Sequence, residues 1–226
     1  MRVIAVTGTD TGVGKTLVTA VIAAEQLARG RSVAVVKPAQ TGVGPGEDGD
    51  LAEVRRLAGE VSVHEGARLP DPLAPDAAAR VAGTDLPGLE DQSRLVAAAA
   101  ADHDLTLVEG SGGVLVNLGV RWNLLDLAER LQRQGHEVTF VVVARAGLGT
   151  LNHTALTVHA IAARGLAVDG IVIGSWPERP GLAADQNLVD LPLLTGVPLL
   201  GRIPEGAGRL PAPVFRRECP TWVTRL

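Results

Sequence analysis

Short apolar runs recur along this chain and predict the strands of a buried sheet. The runs are rich in β-branched residues and contain almost no polar positions, which is typical of strands covered on both faces. Because such strands occur mainly in parallel sheets, the pattern favours a parallel arrangement. We predict strands at residues 3–6, 32–36, 105–108, 138–143 and 168–173, and one more within 197–203.

Segments with helical periodicity separate these strands, and each ends at a glycine, the residue that most often terminates a helix. The alternation of strands and helices predicts an α/β fold with a doubly wound, mostly parallel sheet flanked by helices. In such folds, ligands bind beyond the carboxyl ends of the strands. The predicted helices span residues 15–29, 51–57, 124–134 and 151–164, and end at Gly30, Gly59, Gly135 and Gly165.

We expect residues 1–226 to form a single domain of this type, although two segments lack a clear period. Residues 42–49 are rich in glycine and acidic residues, and we predict a mobile loop near the ligand site. Residues 206–226 contain several prolines, and we predict an irregular C-terminal tail.

Composition and charge narrow the function to small-molecule chemistry. Hydrophobic residues make up 46% of the chain and charged residues 20%. No apolar run approaches the roughly 18 residues that a membrane helix needs. A net charge of -4 offers no basic surface for nucleic acid. The first residues resemble a strand rather than a secretion signal, so we expect a cytoplasmic protein. From the net charge and the short apolar runs, we expect it to bind neither nucleic acid nor membranes.

Residues 8–16, with the sequence GTDTGVGKT, fit the pattern G-x-x-x-x-G-K-[ST] between a predicted strand and a predicted helix. In such a loop, backbone N–H groups close around phosphate oxygens, and the start of the helix adds its positive end. We predict that Gly12, Val13 and Gly14 surround the phosphates, that Lys15 neutralises them, and that the hydroxyl of Thr16 ligates Mg²⁺. The fold is therefore expected to be that of a P-loop NTPase.

Lysine is almost absent from the chain, since the 21 basic residues comprise 19 arginines and only Lys15 and Lys37. Arginine does not reproduce a compact, rotatable ammonium, so the two lysines are candidates for function. Lys37 ends the second predicted strand and precedes Pro38, which places it at the same edge of the sheet as the phosphate loop. We predict that Lys37 stabilises an anionic acceptor and the charge that develops during phosphoryl transfer.

Two acidic residues are candidates for the metal site. Glu109 follows the predicted strand 105–108, where phosphate-transferring proteins of this architecture place a second acidic group. Asp50 begins a helix, and its local context fits an N-cap as well as a metal ligand. A second loop follows Glu109, and its backbone is expected to approach phosphate closely: Gly110, Ser111, Gly112 and Gly113.

Four motifs together resemble the dethiobiotin synthetase family: GTDTGVGKT at 8–16, KPAQTG at 37–42, EGSGG at 109–113 and GLGTLNHT at 147–154. The resemblance spans about residues 1–206 in the family's order. It implies a ligase of biotin biosynthesis that converts 7,8-diaminopelargonate, CO₂ and ATP, with Mg²⁺, to dethiobiotin, ADP and phosphate.

The resemblance also implies roles for particular residues. Thr11, Lys15 and Lys37 would surround a substrate carbamate and the γ-phosphate, and Thr41 would contact the substrate. Mg²⁺ would be held by Thr16, Asp50 and Glu109. Family members are homodimers, so a segment of one subunit would meet the partner's site and bind the remote carboxylate of the substrate through free N–H groups: Gly149, Thr150, Leu151 and Asn152.

The base-binding end departs from the family pattern. Many members carry an asparagine after the fifth strand, whereas this chain has Gly174 and Ser175 there, followed by Trp176. Serine matches an adenine edge less well than an amide does, so the sequence leaves the nucleobase open between ATP and another nucleoside triphosphate. The other wall of this pocket is expected at Pro204, Glu205 and Gly206.

Two other functions occur on the same fold. An ATP-dependent amidotransferase needs a glutaminase domain with a cysteine nucleophile, and the single Cys219 lies too near the C-terminus for one. A partitioning-type P-loop ATPase switch carries a lysine where Asp10 stands, and this chain has no lysine there. Dethiobiotin synthesis therefore remains the favoured function, with the switch ATPase as the alternative.

Overall fold

The structure, a computed structural model, describes residues 1–224, in which seven strands form one parallel sheet of order β11-β10-β9-β1-β6-β2-β4. Outside this sheet, β3 pairs with β5, and β7 and β8 form an antiparallel pair. In chain order the strands are β1 (Arg2–Gly8), β2 (Val33–Lys37), β3 (Gln40–Thr41), β4 (Ser62–Glu65), β5 (Arg68–Leu69), β6 (Leu105–Gly113), β7 (Asn117–Gly119), β8 (Trp122–Asn123), β9 (Glu137–Ala144), β10 (Ala167–Trp176) and β11 (Leu199–Pro204).

Helices cover both faces of the sheet, so the strands are buried on both sides and form two apolar cores. One core lies beneath the first, second and eighth helices, and the other beneath the fourth to seventh. The helices are α1 (Lys15–Ala28), α2 (Asp50–Ala58), α3 (Pro75–Ala82), α4 (Leu89–Ala101), α5 (Leu124–Arg133), α6 (Thr150–Ala162), α7 (Leu182–Thr195) and α8 (Ala212–Glu218). The predicted doubly wound α/β fold is confirmed.

All six predicted strands and all four predicted helices are present, with shifts of one or two residues at most ends, but β10 runs three residues and β6 five residues beyond the predicted end. The four glycines predicted to end helices all have a positive φ. The edge strand β4 was not predicted, because its residues, Ser-Val-His-Glu, are only half-buried and do not form a continuous apolar run. Helix α7 was not predicted either, because apolar residues occur on its exposed side and Pro192 lies inside it.

The prediction of an irregular tail at 206–226 is wrong within the described residues. Helix α8 and two short 3₁₀ turns form there, and Phe215 and Cys219 are fully buried against α1 and α2. Burial raises the pKa of the Cys219 thiol to about 11, as suits a packed rather than a reactive cysteine. The backbone of Trp222 then pairs with the edge strand β11 through Arg202.

The order of the strands decides which side chains meet at the carboxyl edge of the sheet. Strand β6 lies between β1 and β2, so the phosphate loop after β1, the end of β2 and the end of β6 are adjacent.

Among residues 1–224, no helix combines the length and apolar character needed to cross a membrane.

Candidate active site

The phosphate loop connects β1 to α1, and α1 begins at Lys15 as predicted. Gly14 precedes the helix with φ 100°, in the left-handed region. A Cβ atom at Gly14 would lie 2.6 Å from the carbonyl oxygen of Gly174 on β10. Glycine is therefore required here by both the backbone conformation and the close approach of the neighbouring strand.

Lys37 ends β2 and is buried, with only 3% of its surface exposed. Its Nζ lies 2.7 Å from Oδ2 of Asp50 and 2.9 Å from Oε1 of Glu109, and it donates to the carbonyl oxygen of Gly110 at 3.1 Å. Burial opposes the charged form of Lys37, but Glu109 and Asp50 outweigh this effect and raise its pKa above the ordinary value. The ammonium thus has three partners for its three hydrogens.

The three predicted metal ligands lie together around Lys37. The hydroxyl of Thr16 donates to Oε1 of Glu109 at 3.0 Å. Within residues 1–224, the other oxygen of this carboxylate, Oε2, is buried without a hydrogen-bond partner. Burial opposes ionisation of Asp50, but the charge of Lys37 outweighs it and lowers the pKa of this carboxyl. An unpartnered carboxylate oxygen beside a hydroxyl and a second carboxylate matches the oxygen ligands that Mg²⁺ prefers.

The alternative of Asp50 as an N-cap is wrong. The N-cap of α2 is Gly49, and Asp50 is the first helical residue with its carboxylate on Lys37. The predicted loop after Glu109 is also wrong, because β6 continues as a strand through Gly113. Within that strand, Ser111 donates its hydroxyl to the carbonyl oxygen of Ala39 at 2.7 Å, and Gly112 has a positive φ of 66°.

Lys15, the second lysine, has a different environment. Its Nζ donates to the carbonyl oxygen of Asp10 at 3.0 Å, and the residue is 8% exposed. Burial, followed by repulsion from Lys37, lowers the pKa of Lys15 to about 8. Within residues 1–224, no carboxylate oxygen lies within 4 Å of this Nζ, although Glu109, Asp50 and Asp10 act on it from a greater distance, so phosphate would be its nearest counter-charge.

A cavity of about 680 Å³ joins these groups. Sequence reasoning identified much of its wall, but it missed Gln40, Val116 and the segment 72–75, which contribute a mostly apolar side. Pro72 and Pro75 bracket that segment, yet prolines in a loop do not indicate which cavity the loop will border. The predicted residues that line the cavity are Thr11, Gly12, Gly14, Lys15, Thr16, Lys37, Thr41, Asp50, Glu109, Ser111 and Gly112.

The loop at 42–49, which was predicted to be mobile, is hydrogen-bonded to Arg68. The guanidinium of Arg68 donates to the carbonyl oxygens of Gly44 and Glu47, at 3.2 and 2.7 Å, while pairing with Glu65. Strand β3 brings Thr41 to the cavity wall at one end of this loop, and α2 brings Asp50 at the other.

The residues predicted for the nucleobase do not line this cavity. Gly174 packs against Val13 and Gly14, because a Cβ there would lie 2.1 Å from the carbonyl oxygen of Val13. The N–H of Glu205 donates to the carbonyl oxygen of Trp176 at 2.8 Å, which joins the ends of β10 and β11. The indole of Trp176 packs on the core beneath α4–α7 and is covered by the guanidinium of Arg202 at 4.5 Å.

The predicted substrate-binding segment at the start of α6 does not line this cavity in the single chain. Gly149, with φ 87°, is the N-cap without a side-chain hydrogen bond, and the first turn contains no acidic residue. Beside it lies an apolar cavity of about 350 Å³, lined by His153, Leu115 and Leu156 among others. Leu148, Leu115 and Leu156 are 90%, 63% and 62% exposed, so this side of the molecule presents uncovered apolar surface.

A parallel sheet whose first strand runs into a phosphate loop and helix defines the class of P-loop NTPases. A family model described as an AAA domain matches residues 2–208. Solved structures with this fold include the septum site-determining protein MinD of Pyrococcus horikoshii, with a TM-score of 0.62 and 18% identity over 96% of this chain and 89% of that one. A ParA family ATPase from Chlorobium tepidum has a TM-score of 0.58 and 16% identity over 95% and 90%.

The chain belongs, within this class, to the family of ATP-dependent dethiobiotin synthetases. The ATP-dependent dethiobiotin synthetase BioD of Rhodococcus jostii is 54% identical over 98% of this chain and 94% of its own length. That of Streptomyces coelicolor is 51% identical over 99% and 92%. The predicted resemblance is confirmed. The switch ATPase alternative is not favoured, because the likeness to MinD and ParA is limited to the fold.

The pKa of Lys15 predicts how nucleotide affinity depends on pH. Phosphate favours the ammonium form, so the pKa of Lys15 is higher in the complex than the value of about 8 in the free protein. Affinity is therefore greatest below this value and falls as the pH rises through it, by up to about tenfold per pH unit. Calorimetric titration with Mg·ADP from pH ~7.5 to ~9.5 measures the affinity at each pH. Repeating the titration in two buffers of different ionisation enthalpy gives the number of protons taken up on binding. A constant affinity across this range would contradict the assignment.

Proposed function

We propose that this protein is a C–N bond-forming ligase that closes the ureido ring of dethiobiotin from 7,8-diaminopelargonate, CO₂ and a nucleoside triphosphate. Its family membership supports the overall reaction. The observation that carries the proposal is the pair of lysines at one cavity, with Lys15 on the phosphate loop and Lys37 at the end of the neighbouring strand β2. A site that phosphorylates an anionic acceptor needs cations on both reacting groups.

The chain's own residues have distinct tasks in this reaction. Backbone N–H groups at 12–14 and Lys15 hold the β- and γ-phosphates. A carbamate formed from one substrate amine and CO₂ places its oxygen against the γ-phosphorus, between Lys15 and Lys37, with Thr11 at the cavity wall. The new O–P bond forms as the bond to the leaving ADP breaks, and the second amine then attacks the carbonyl carbon and expels phosphate.

Lys37 has to exchange at least one of its present partners to meet the carbamate. Its three hydrogens are directed at Asp50, Glu109 and the carbonyl oxygen of Gly110. Mg²⁺ would be held by Thr16, Asp50 and Glu109, where it would supply charge neutralisation for the phosphates. The unpartnered Oε2 of Glu109 supports this assignment.

The substrate's hydrocarbon chain fits the apolar side of the cavity. Thr41 and the segment 72–75 line the cavity, and this segment is Pro-Leu-Ala-Pro. We assign Thr41 to the substrate and the walls formed by Gly174, Ser175 and residues 204–206 to the nucleobase. Because serine replaces a bidentate amide there, discrimination among bases is expected to be modest.

The remote carboxylate of the substrate is assigned to the start of α6 of a second subunit. This N-terminus has free N–H groups at Leu151 and Asn152 by the geometry of helices, and no acidic residue neutralises it. The exposed leucines beside it, with the apolar cavity that shares Val116 with the active-site cavity, support a homodimer formed on this face.

An omission assay tests the proposed reaction. Phosphate release is expected only when nucleotide, Mg²⁺, bicarbonate and 7,8-diaminopelargonate are present together, with a ureido product of matching mass. The Lys15→Ala variant is the matched control, because it removes the phosphate-binding ammonium without filling the cavity. Equal phosphate release without the diamine would rule out the synthetase function and favour a switch ATPase.

A mixing experiment tests the shared site. Lys15→Ala disables the phosphate loop, and Asn152→Asp places a negative charge where the remote carboxylate should bind; each variant alone is expected to be nearly inactive. In mixed dimers, one site combines the intact loop of one chain with the intact α6 of the other. Co-refolding equal amounts should therefore restore about a quarter of wild-type activity. Activity no greater than the sum of the two parents would contradict a site completed by the partner.

A further inference from the structure

Helix α2 begins without a capping side chain of its own. Its N-cap is Gly49, which has no side-chain oxygen, and Asp50 is the first helical residue. The first N–H groups of a helix lack acceptors within the helix and need them from elsewhere. Here the N–H of Asp50 donates to Oε1 of Gln40 at 2.9 Å, so a side chain from β3 caps the helix.

The Gln40 side chain is held in one orientation. It is 4% exposed, and its backbone N–H donates to the carbonyl oxygen of Ala67 at 2.8 Å within the β3–β5 pair. Its Nε2 donates to the carbonyl oxygen of Thr41 at 3.2 Å. With the amide nitrogen engaged by a carbonyl, the amide oxygen is the atom left to accept from Asp50.

The glycine at 49 is explained by this contact rather than by its backbone. Gly49 has φ -109° and ψ -168°, an extended conformation that any residue adopts. A Cβ atom there would lie 2.9 Å from Oε1 and 3.0 Å from Cδ of Gln40. Because real Cβ atoms do not approach so closely, a larger residue would displace the Gln40 amide from the start of the helix.

We infer that Gln40 is a positioning residue that fixes the carboxylate of Asp50 by capping α2. Asp50 makes both contacts: its N–H donates to Gln40, and its Oδ2 lies 2.7 Å from Nζ of Lys37. The cap therefore fixes the start of α2 and, with it, the position of a carboxylate that pairs with Lys37. The inference rests on the proposed function only for the use of Asp50 as a cation ligand. Partners that orient a ligand from behind commonly change metal affinity by about 10- to 100-fold when removed.

Two substitutions at Gln40 separate capping from direct contact with a ligand. Gln40→Leu removes the acceptor, and the Mg²⁺ concentration needed for half-maximal ADP binding is expected to rise about tenfold. Gln40→Glu loses the hydrogen bond to Thr41 but keeps an acceptor oxygen at the same reach, so the Asp50 N–H should stay protected from exchange in this variant. A Gln40→Leu variant that binds ADP with wild-type Mg²⁺ dependence would overturn the inference.

A pair of glycine substitutions supplies an independent comparison. Gly49→Ala should reproduce the effect of Gln40→Leu, because the added methyl displaces the amide. Gly44→Ala in the same loop should behave as wild type, since its Cβ would meet only the flexible Glu47 carboxylate at 3.4 Å. A Gly49→Ala variant with wild-type Mg²⁺ dependence would contradict the inference.

Amide hydrogen exchange of the ligand-free protein tests the cap without any reaction. Exchange at the Asp50 N–H should accelerate in Gln40→Leu and Gly49→Ala and remain slow in Gln40→Glu. This readout separates the two proposals, because the cap can be demonstrated even if the omission assay fails. Unchanged exchange at Asp50 in Gln40→Leu would overturn the inference whatever the enzyme's activity.

Discussion

The ammonium of Lys37 lies in the interior of the protein, and the rest of the site depends on how its charge is balanced. A buried charge is costly unless it is paired and hydrogen-bonded, and Lys37 has two carboxylates and a carbonyl within 3.1 Å. Removing one partner of such a cluster typically costs roughly 3–5 kcal/mol, whereas an apolar replacement of the whole cluster is often neutral. Stability alone therefore does not explain why these three charges are together, whereas the proposed phosphoryl transfer gives each of them a role.

The sheet brings the cluster together. Val36 of β2 is in register with Val108 of β6, so Lys37 and Glu109, the next residues along each strand, reach the same edge. Strand β1 pairs with the other side of β6 and delivers the phosphate loop and Thr16 to the same place. Asp50 arrives from a helix rather than from the sheet, and for this reason it needs the separate support of Gln40.

The sequence predicted the parts of this site that are encoded locally. A glycine-rich loop between strand and helix, an acid after an apolar strand and the scarcity of lysine each have a direct chemical meaning, and all three groups meet in the structure. Strand β4 and helix α7 were missed because one is half-exposed and the other has no clean apolar face. The cap on Asp50 and the wall at 72–75 were missed because they depend on contacts between loops, which leave no periodic signal.

The central claim is that a buried, compact ammonium at residue 37 is required for transfer of the phosphoryl group. The Lys37→Arg variant tests it most directly, with Mg·ADP affinity and thermal unfolding measured on the same sample to establish that the protein is folded. Because a planar guanidinium keeps the charge but not the geometry, turnover should fall at least about a hundredfold while nucleotide affinity changes only a few-fold. Turnover close to wild type in a folded, nucleotide-binding Lys37→Arg protein would contradict this account.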